Sequence, residues 1–239
     1  MNGSRLDLSI LLPLLPLLAV ACRPASPPPM TSPVQGRMFE HFALARDLRV
    51  FAANGDLARL RVTATELAGL EETWGMPPGA DAYLQRVHAA ARRAAAAGSV
   101  PEAATAVAEV ARACGDCHLT NDATLGERFQ VAAPRVDDPA VRHTNYLSWV
   151  SRLLWDGLVG PSERMWRTGA EALSGAEGLP PPRARSVPAG DIDRAGATLH
   201  ELGTRALAED DPQERIRLLA AIWTTCADCH TQAEVRQAP

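Results

Sequence analysis

The chain has 239 residues, 46% of them hydrophobic and 22% charged, with a formal net charge of −4. That length suits one large domain or two of about 100 residues. The apolar content excludes a disordered chain, and the negative balance argues against nucleic acid as a partner. All 24 basic residues are Arg, and only five Cys are present, at 22, 114, 117, 226 and 229.

Residues 1–21 read as an export signal. Arg5 and the terminal amine give a weakly basic start. The apolar run from Ile10 to Val20 is broken by Pro13 and Pro16 and is too short to span a bilayer. It ends in Ala19-Val20-Ala21-Cys22, and small residues before a Cys resemble a bacterial lipoprotein signal, which makes Cys22 the lipid-modified N-terminus. Plain cleavage after Ala21 is the alternative. Because Arg23 rather than Asp follows Cys22, the resemblance implies sorting to the outer membrane. Both routes place the mature protein on the periplasmic side of a bacterial membrane. Residues 22–36 contain Pro24, Pro27, Pro28, Pro29 and Pro33. They are expected to form an extended tether rising about 3.1 Å per residue.

The rest of the chain repeats itself. An offset of 112 superposes the two Cys pairs and sets His88 on His200, Arg93 on Arg205, Glu102 on Glu214 and Asp116 on Asp228. Further upstream an offset of 105 sets Arg37-Met38 on Arg142-His143, Gly55 on Gly160, Arg59 on Arg164 and Glu66 on Glu171. The difference is absorbed by a longer Pro-rich loop from Gly178 to Pro188. Two units follow, residues 37–131 and 132–239, dividing around Pro134.

Each unit reads as four helices. Met38, Phe42, Ala45, Leu48 and Ala52 follow the helical period, and Asn54-Gly55-Asp56 stops that helix with Asp56 placed to cap the next. Leu57, Leu60, Ala64 and Leu67 form the second stripe. A loop from Gly75 to Gly79 precedes a third helix from about Asp81 to Gly98. Ser99 and Glu102 then make a capping box for the fourth. In the second unit Pro161 is expected just inside the second helix, and Asp211-Pro212 with Glu214 opens the fourth. No stretch alternates as a strand. The expected fold is all-α, two tandem four-helix bundles.

Cys114-Gly115-Asp116-Cys117-His118 and Cys226-Ala227-Asp228-Cys229-His230 both have the C-x-x-C-H spacing of c-type haem attachment. On a helix, positions i, i+3 and i+4 share one face, so two thiols and an imidazole meet one porphyrin. The thiols form thioethers, and His118 or His230 takes the iron as axial ligand. Two covalently bound haems are therefore expected. Competing readings are a zinc held by four Cys, a thioredoxin-like redox pair and two disulfides. Zinc pairs usually sit on turns, the redox pair needs a β-α-β setting, and an i, i+3 bridge along a helix is strained.

A four-helix unit of about 100 residues with C-x-x-C-H late in its last helix resembles the class II cytochromes c, the cytochrome c-prime and c556 type. The likeness extends to Ala96, Gly98, Val107, Val110 and Cys114, and to Ala208, Asp210, Leu219, Ile222 and Cys226 in the second unit. The family usually has an aromatic and an Arg soon after the haem His, where this chain has Leu119-Thr120-Asn121 and Thr231-Gln232-Ala233. The resemblance places the sixth iron position against the first helix, at Met38 in the first unit and His143 in the second. His41, three residues on from Met38, shares its face and competes with it. Core packing is the plain alternative for Met38, and a surface position for His143. His88 and His200 are further duplicated candidates, with a haem-edge or surface role as the alternative. Arg37 with Arg142, and Arg93 with Arg205, are placed either to meet haem propionates or simply in solvent. Trp223, one helical step before Cys226, is expected on the haem edge, and the other Trp residues in the core.

These features imply a membrane-tethered dihaem electron carrier rather than an enzyme, passing single electrons between partner redox proteins. The alternative is binding of NO or CO, or peroxide reduction, at one open iron.

Overall fold

The structure is a computed structural model and describes residues 33–70, 76–123, 132–133, 139–175 and 189–233. Cys22, the export signal and most of the Pro-rich stretch lie outside these residues, as does the loop from Gly178 to Pro188. Among the described residues every regular element is helical: α1 (Pro33–Asn54), α2 (Leu57–Ala68), α3 (Ala80–Ala96), α4 (Val100–Thr120), α5 (Pro139–Val159), α6 (Glu163–Ser174), α7 (Ala189–Leu207) and α8 (Pro212–Ala233). None of them is long and apolar enough to cross a membrane.

The helix boundaries follow from local chemistry. Asp56 caps α2 by accepting from the Arg59 amide at 3.0 Å. Ser99 accepts from the Glu102 amide at 3.5 Å, while the Glu102 carboxylate accepts from the Gly98 amide at 2.7 Å. This is a capping box whose return bond has moved one residue upstream. Asp211 caps α8 by accepting from the Gln213 and Glu214 amides at 2.6 and 3.1 Å. Two boundaries differ from expectation. Helix α1 begins at Pro33, so residues 33–36 belong to the helix rather than to an extended tether. Proline suits a first helical turn, where its missing N–H would be unpaired anyway. Pro161 lies outside α6, because Ser162 takes the capping position and accepts from the Met165 amide at 3.3 Å.

Within each half, successive helices pack on one another, α1 to α2 to α3 to α4 and α5 to α6 to α7 to α8. Ser32–Pro239 nevertheless gather into one compact unit, because the halves also meet. Helix α4 lies against α8, α1 leans on α8, and α5 leans on α4. The first helix of each half is thus shared with the last helix of the other. The core runs continuously across that junction, from Leu48, Leu60, Leu67 and Val107 to Leu154, Trp155, Leu219 and Trp223. Each such side chain, fully buried, contributes roughly 1.5–3 kcal/mol of transfer free energy.

Trp223 belongs to this core. It is fully buried, donates from Nε1 to the Ser151 hydroxyl at 2.9 Å, and packs its ring 5.8 Å from that of Trp155. A buried indole N–H needs an acceptor, and Ser151 on α5 supplies one. Trp166 likewise donates to the Ala206 carbonyl at 2.9 Å, tying α6 to α7.

The same α6–α7 crossing depends on a glycine. A Cβ on Gly203 would stand 2.6 Å from the Ser174 amide nitrogen and 2.8 Å from the Leu173 carbonyl carbon. Backbone cannot yield as a flexible side chain does. Gly203→Ala is expected to lower stability by about 1–3 kcal/mol, read as a lower midpoint in urea with an unchanged slope.

Candidate functional site

Both C-x-x-C-H segments fall in the last turns of long helices, α4 and α8. Helix geometry sets both thiols and the imidazole of each segment toward one side, and each triplet borders its own cavity. The first cavity, of about 250 Å³, is bordered by Cys114, Cys117 and His118, with Met38, His41 and Phe42 from α1 and Tyr83, Leu84 and Val87 from α3. The second, of about 130 Å³, is bordered by Cys226, Cys229 and His230, with His143 and Leu147 from α5 and Ile192, Ala195 and Leu199 from α7. Met38, His41 and His143 therefore come to the same cavities as the Cys and His residues. His88 and His200 do not border them; His88 lies behind His41, with the rings stacked at 6.0 Å between centroids.

Each cavity also has a wall from the other half of the chain. Asp156, Val159 and Gly160, at the end of α5, border the first. Arg49, Val50, Ala53 and Asn54, at the end of α1, border the second. These residues carry no motif; only the packing of α5 on α4 and of α1 on α8 brings them in.

The end of α5 does chemical work at the first cavity. A helix leaves its last carbonyls unpaired, and that of Val159 accepts from His118 Nδ1 at 2.6 Å. A carbonyl can only accept, so the proton sits on Nδ1 and Nε2 is left with its lone pair. Burial pushes His118 below its ordinary pKa, with the Val159 carbonyl opposing, so the ring is neutral at neutral pH. His230 is also pushed down by burial, and the Ala53 carbonyl near the end of α1 opposes. That second contact is looser, since His230 Nδ1 makes no bond of full hydrogen-bond geometry.

The four thiols are free. Burial pushes Cys114 and Cys226 up to about 12, each reinforced by its neighbouring Cys, and raises Cys117 and Cys229. These are protonated thiols rather than the thiolates that redox pairs and thiolate nucleophiles require. Among the described residues no group of three or more His, Cys, Asp or Glu is gathered to hold a metal ion by itself.

The repeated Arg residues are engaged with carboxylates. Arg37 pairs with Glu40 at 2.8 Å, Arg93 with Glu109, and Arg205 with Glu214 at 3.3 Å. The side chain of Arg142 lies outside the described residues. Asp116, inside the first C-x-x-C-H, accepts from Arg86 at 2.6 Å and Arg112 at 2.5 Å, fastening α4 to α3.

No protein-family model, curated protein or solved structure matches this chain.

Proposed function

We propose that the chain is an exported dihaem c-type cytochrome that transfers single electrons, built from two four-helix units similar to the class II cytochromes c. One duplicated arrangement carries this reading. In each half two Cys and the following His border a cavity, and a helix end from the other half faces the His ring.

The residues fit the group. Cys114 and Cys117 would hold one haem through thioethers and His118 would offer Nε2 to its iron; Cys226, Cys229 and His230 would do the same for the second. A bound haem supplies a reversible one-electron iron couple. The chain's part is to keep each imidazole neutral, to aim it, and to surround the site with apolar side chains such as Phe42, Leu84 and Val87. The Nδ1–H bond from His118 to Val159 fixes the ring and strengthens Nε2 as a donor. Partner redox proteins would deliver and remove the electron. Lipidation of Cys22, with anchorage on the periplasmic side of the outer membrane, belongs to the same proposal.

The test is the full chain produced in a cell that attaches c-type haem. Two covalently bound haems per chain are expected by mass and by haem staining of a denaturing gel. The double substitution Cys114→Ala with Cys117→Ala, or Cys226→Ala with Cys229→Ala, should each remove one. A chain that takes up no haem ends this reading. A reduced spectrum unchanged by CO fits the electron carrier, whereas a CO shift in the unsubstituted chain favours the gas-binding or peroxide-reducing alternative with an open iron.

A further inference from the structure

We propose that His41, and not Met38, is the second axial ligand of the first haem, because a helix carbonyl holds its proton on Nδ1 and leaves a buried, unpartnered Nε2 on a side chain that borders the first cavity. This inference rests on the haem reading of that site and concerns which side chain completes it.

The argument begins with the tautomer. His41 Nδ1 lies 3.0 Å from the Arg37 carbonyl oxygen, one turn back along α1. The carbonyl has no proton to give, so Nδ1 donates, and in the neutral ring Nε2 is then an acceptor only. His41 is only 6% exposed, and its Nε2 is buried with no hydrogen-bond partner in the protein. An unpaired buried acceptor has given up its hydration with nothing in exchange, so such a group calls for an account. A Lewis acid in the cavity that His41 borders supplies one, and it requires the nitrogen that is left over. His118, on the same cavity, is fixed in the same tautomer by the Val159 carbonyl. Two imidazoles, each with Nδ1–H tied to backbone and Nε2 unprotonated, thus border one space.

Met38 borders that space too and is only partly buried, and a thioether, at most a weak acceptor, leaves no polar group in want of a partner. The repeat sharpens the contrast. At the offset of 105, His41 corresponds to Tyr146, whose hydroxyl donates to the Ala172 carbonyl at 2.9 Å. Tyr146 does not border the second cavity, while His143 does. The two halves therefore differ in which turn of their first helix offers a nitrogen.

The test uses the full chain loaded with both haems and reads spectra rather than activity. In the unsubstituted ferric protein the sulfur-to-iron charge-transfer band of a Met-ligated haem should be absent. Reduced His41→Ala should bind one CO per chain, and ferric His41→Ala should regain a low-spin six-coordinate spectrum when free imidazole is added; Met38→Leu should bind no CO. Imidazole rescue separates ligation from mere support of the fold, since a packing defect would not be repaired by a soluble ring. A sulfur–iron band in the unsubstituted protein, or CO binding by Met38→Leu and not by His41→Ala, overturns the assignment while leaving the dihaem reading intact. A chain with no covalent haem overturns both.

Discussion

Replacing Gly115 with alanine is expected to cost more than about 3 kcal/mol of stability and to loosen the first site. The residue sits between the two Cys of the first C-x-x-C-H segment, where α5 crosses α4. A Cβ there would stand 2.1 Å from the Leu158 carbonyl oxygen and 3.3 Å from its carbonyl carbon. No rotamer change relieves that overlap, because both obstacles are backbone, so α5 must move off α4. Val159 is the next residue, and its carbonyl holds His118. The one methyl group therefore attacks packing and the aim of the imidazole together. In a unit of about 200 residues, 3 kcal/mol corresponds to a fall in Tm of roughly 6–12 °C. The second segment provides the control. Ala227 occupies the equivalent place, and a Cβ built on Gly55 would meet the Ala227 Cβ at 3.3 Å, so the glycine of that contact lies on the α1 side. Ala227→Gly should cost about 1 kcal/mol, the ordinary helix penalty. Thermal melts of both variants check the pair. Equal small losses would mean that the α4–α5 contact is not what holds the first site.

That asymmetry shows where sequence reading stopped. Caps are local, so Asp56, Ser99 and Asp211 could be named from three or four residues of context, and each accepts the bond expected of it. The stripes through Leu48, Leu60 and Leu67 likewise predicted a helical core, because period and burial are both properties of one helix. The Cys, His and Met candidates could be listed because their spacing is intrinsic. Which halves supply the walls was not legible. Val159 is 41 residues from His118, is the final residue of its helix, and contributes only a carbonyl, which every residue has. The partner of Trp223 was not legible for a related reason: one helical step from Cys226 fixes a direction along α8 but not what lies opposite, and Ser151, which borders the second cavity, lies opposite. Choosing between His41 and Met38 needed the Arg37 carbonyl and the burial of Nε2, neither of which spacing reports.

Reciprocal packing also brings together two buried charges that no motif announced. Arg49, on α1, borders the second cavity, and Asp156, on α5, borders the first. Both are buried. Arg49 donates to the Ser151 hydroxyl at 3.3 Å, the same hydroxyl that accepts from Trp223, and Asp156 accepts from Arg152 at 3.2 Å. Burial pulls Arg49 down to about 10, against the attraction of Asp156, and it remains a cation at neutral pH. Burial raises Asp156 above the usual carboxylate range, against the attraction of Arg152 and Arg49.

Arg49→Met is expected to destabilise the neutral protein by about 1–2 kcal/mol, because the buried Asp156 carboxylate loses the attraction of that cation and keeps only its ion pair with the half-exposed Arg152. Asp156→Leu, alone, should likewise strand the Arg49 cation. The double variant should recover part of both losses, since replacing two buried, mutually attracting charges by apolar groups of similar volume is often close to neutral. The coupling energy from the four proteins measures the pair itself; strictly additive losses would show that the two charges do not sense one another. The pH dependence follows from the sign of the Asp156 shift. A carboxyl whose folded value is raised binds its proton more tightly folded than unfolded. Its stabilising contribution is complete below the unfolded value, about 3.9, and is lost as pH climbs through the folded value. Removing Arg49 takes away one attraction that holds the folded value down, so the declining limb should extend to higher pH in Arg49→Met and vanish in Asp156→Leu. Urea midpoints taken from pH 4 to pH 8 on the unsubstituted chain and the three variants carry the comparison. A limb that survives in Asp156→Leu would assign the titration to another group and remove Asp156 from the account.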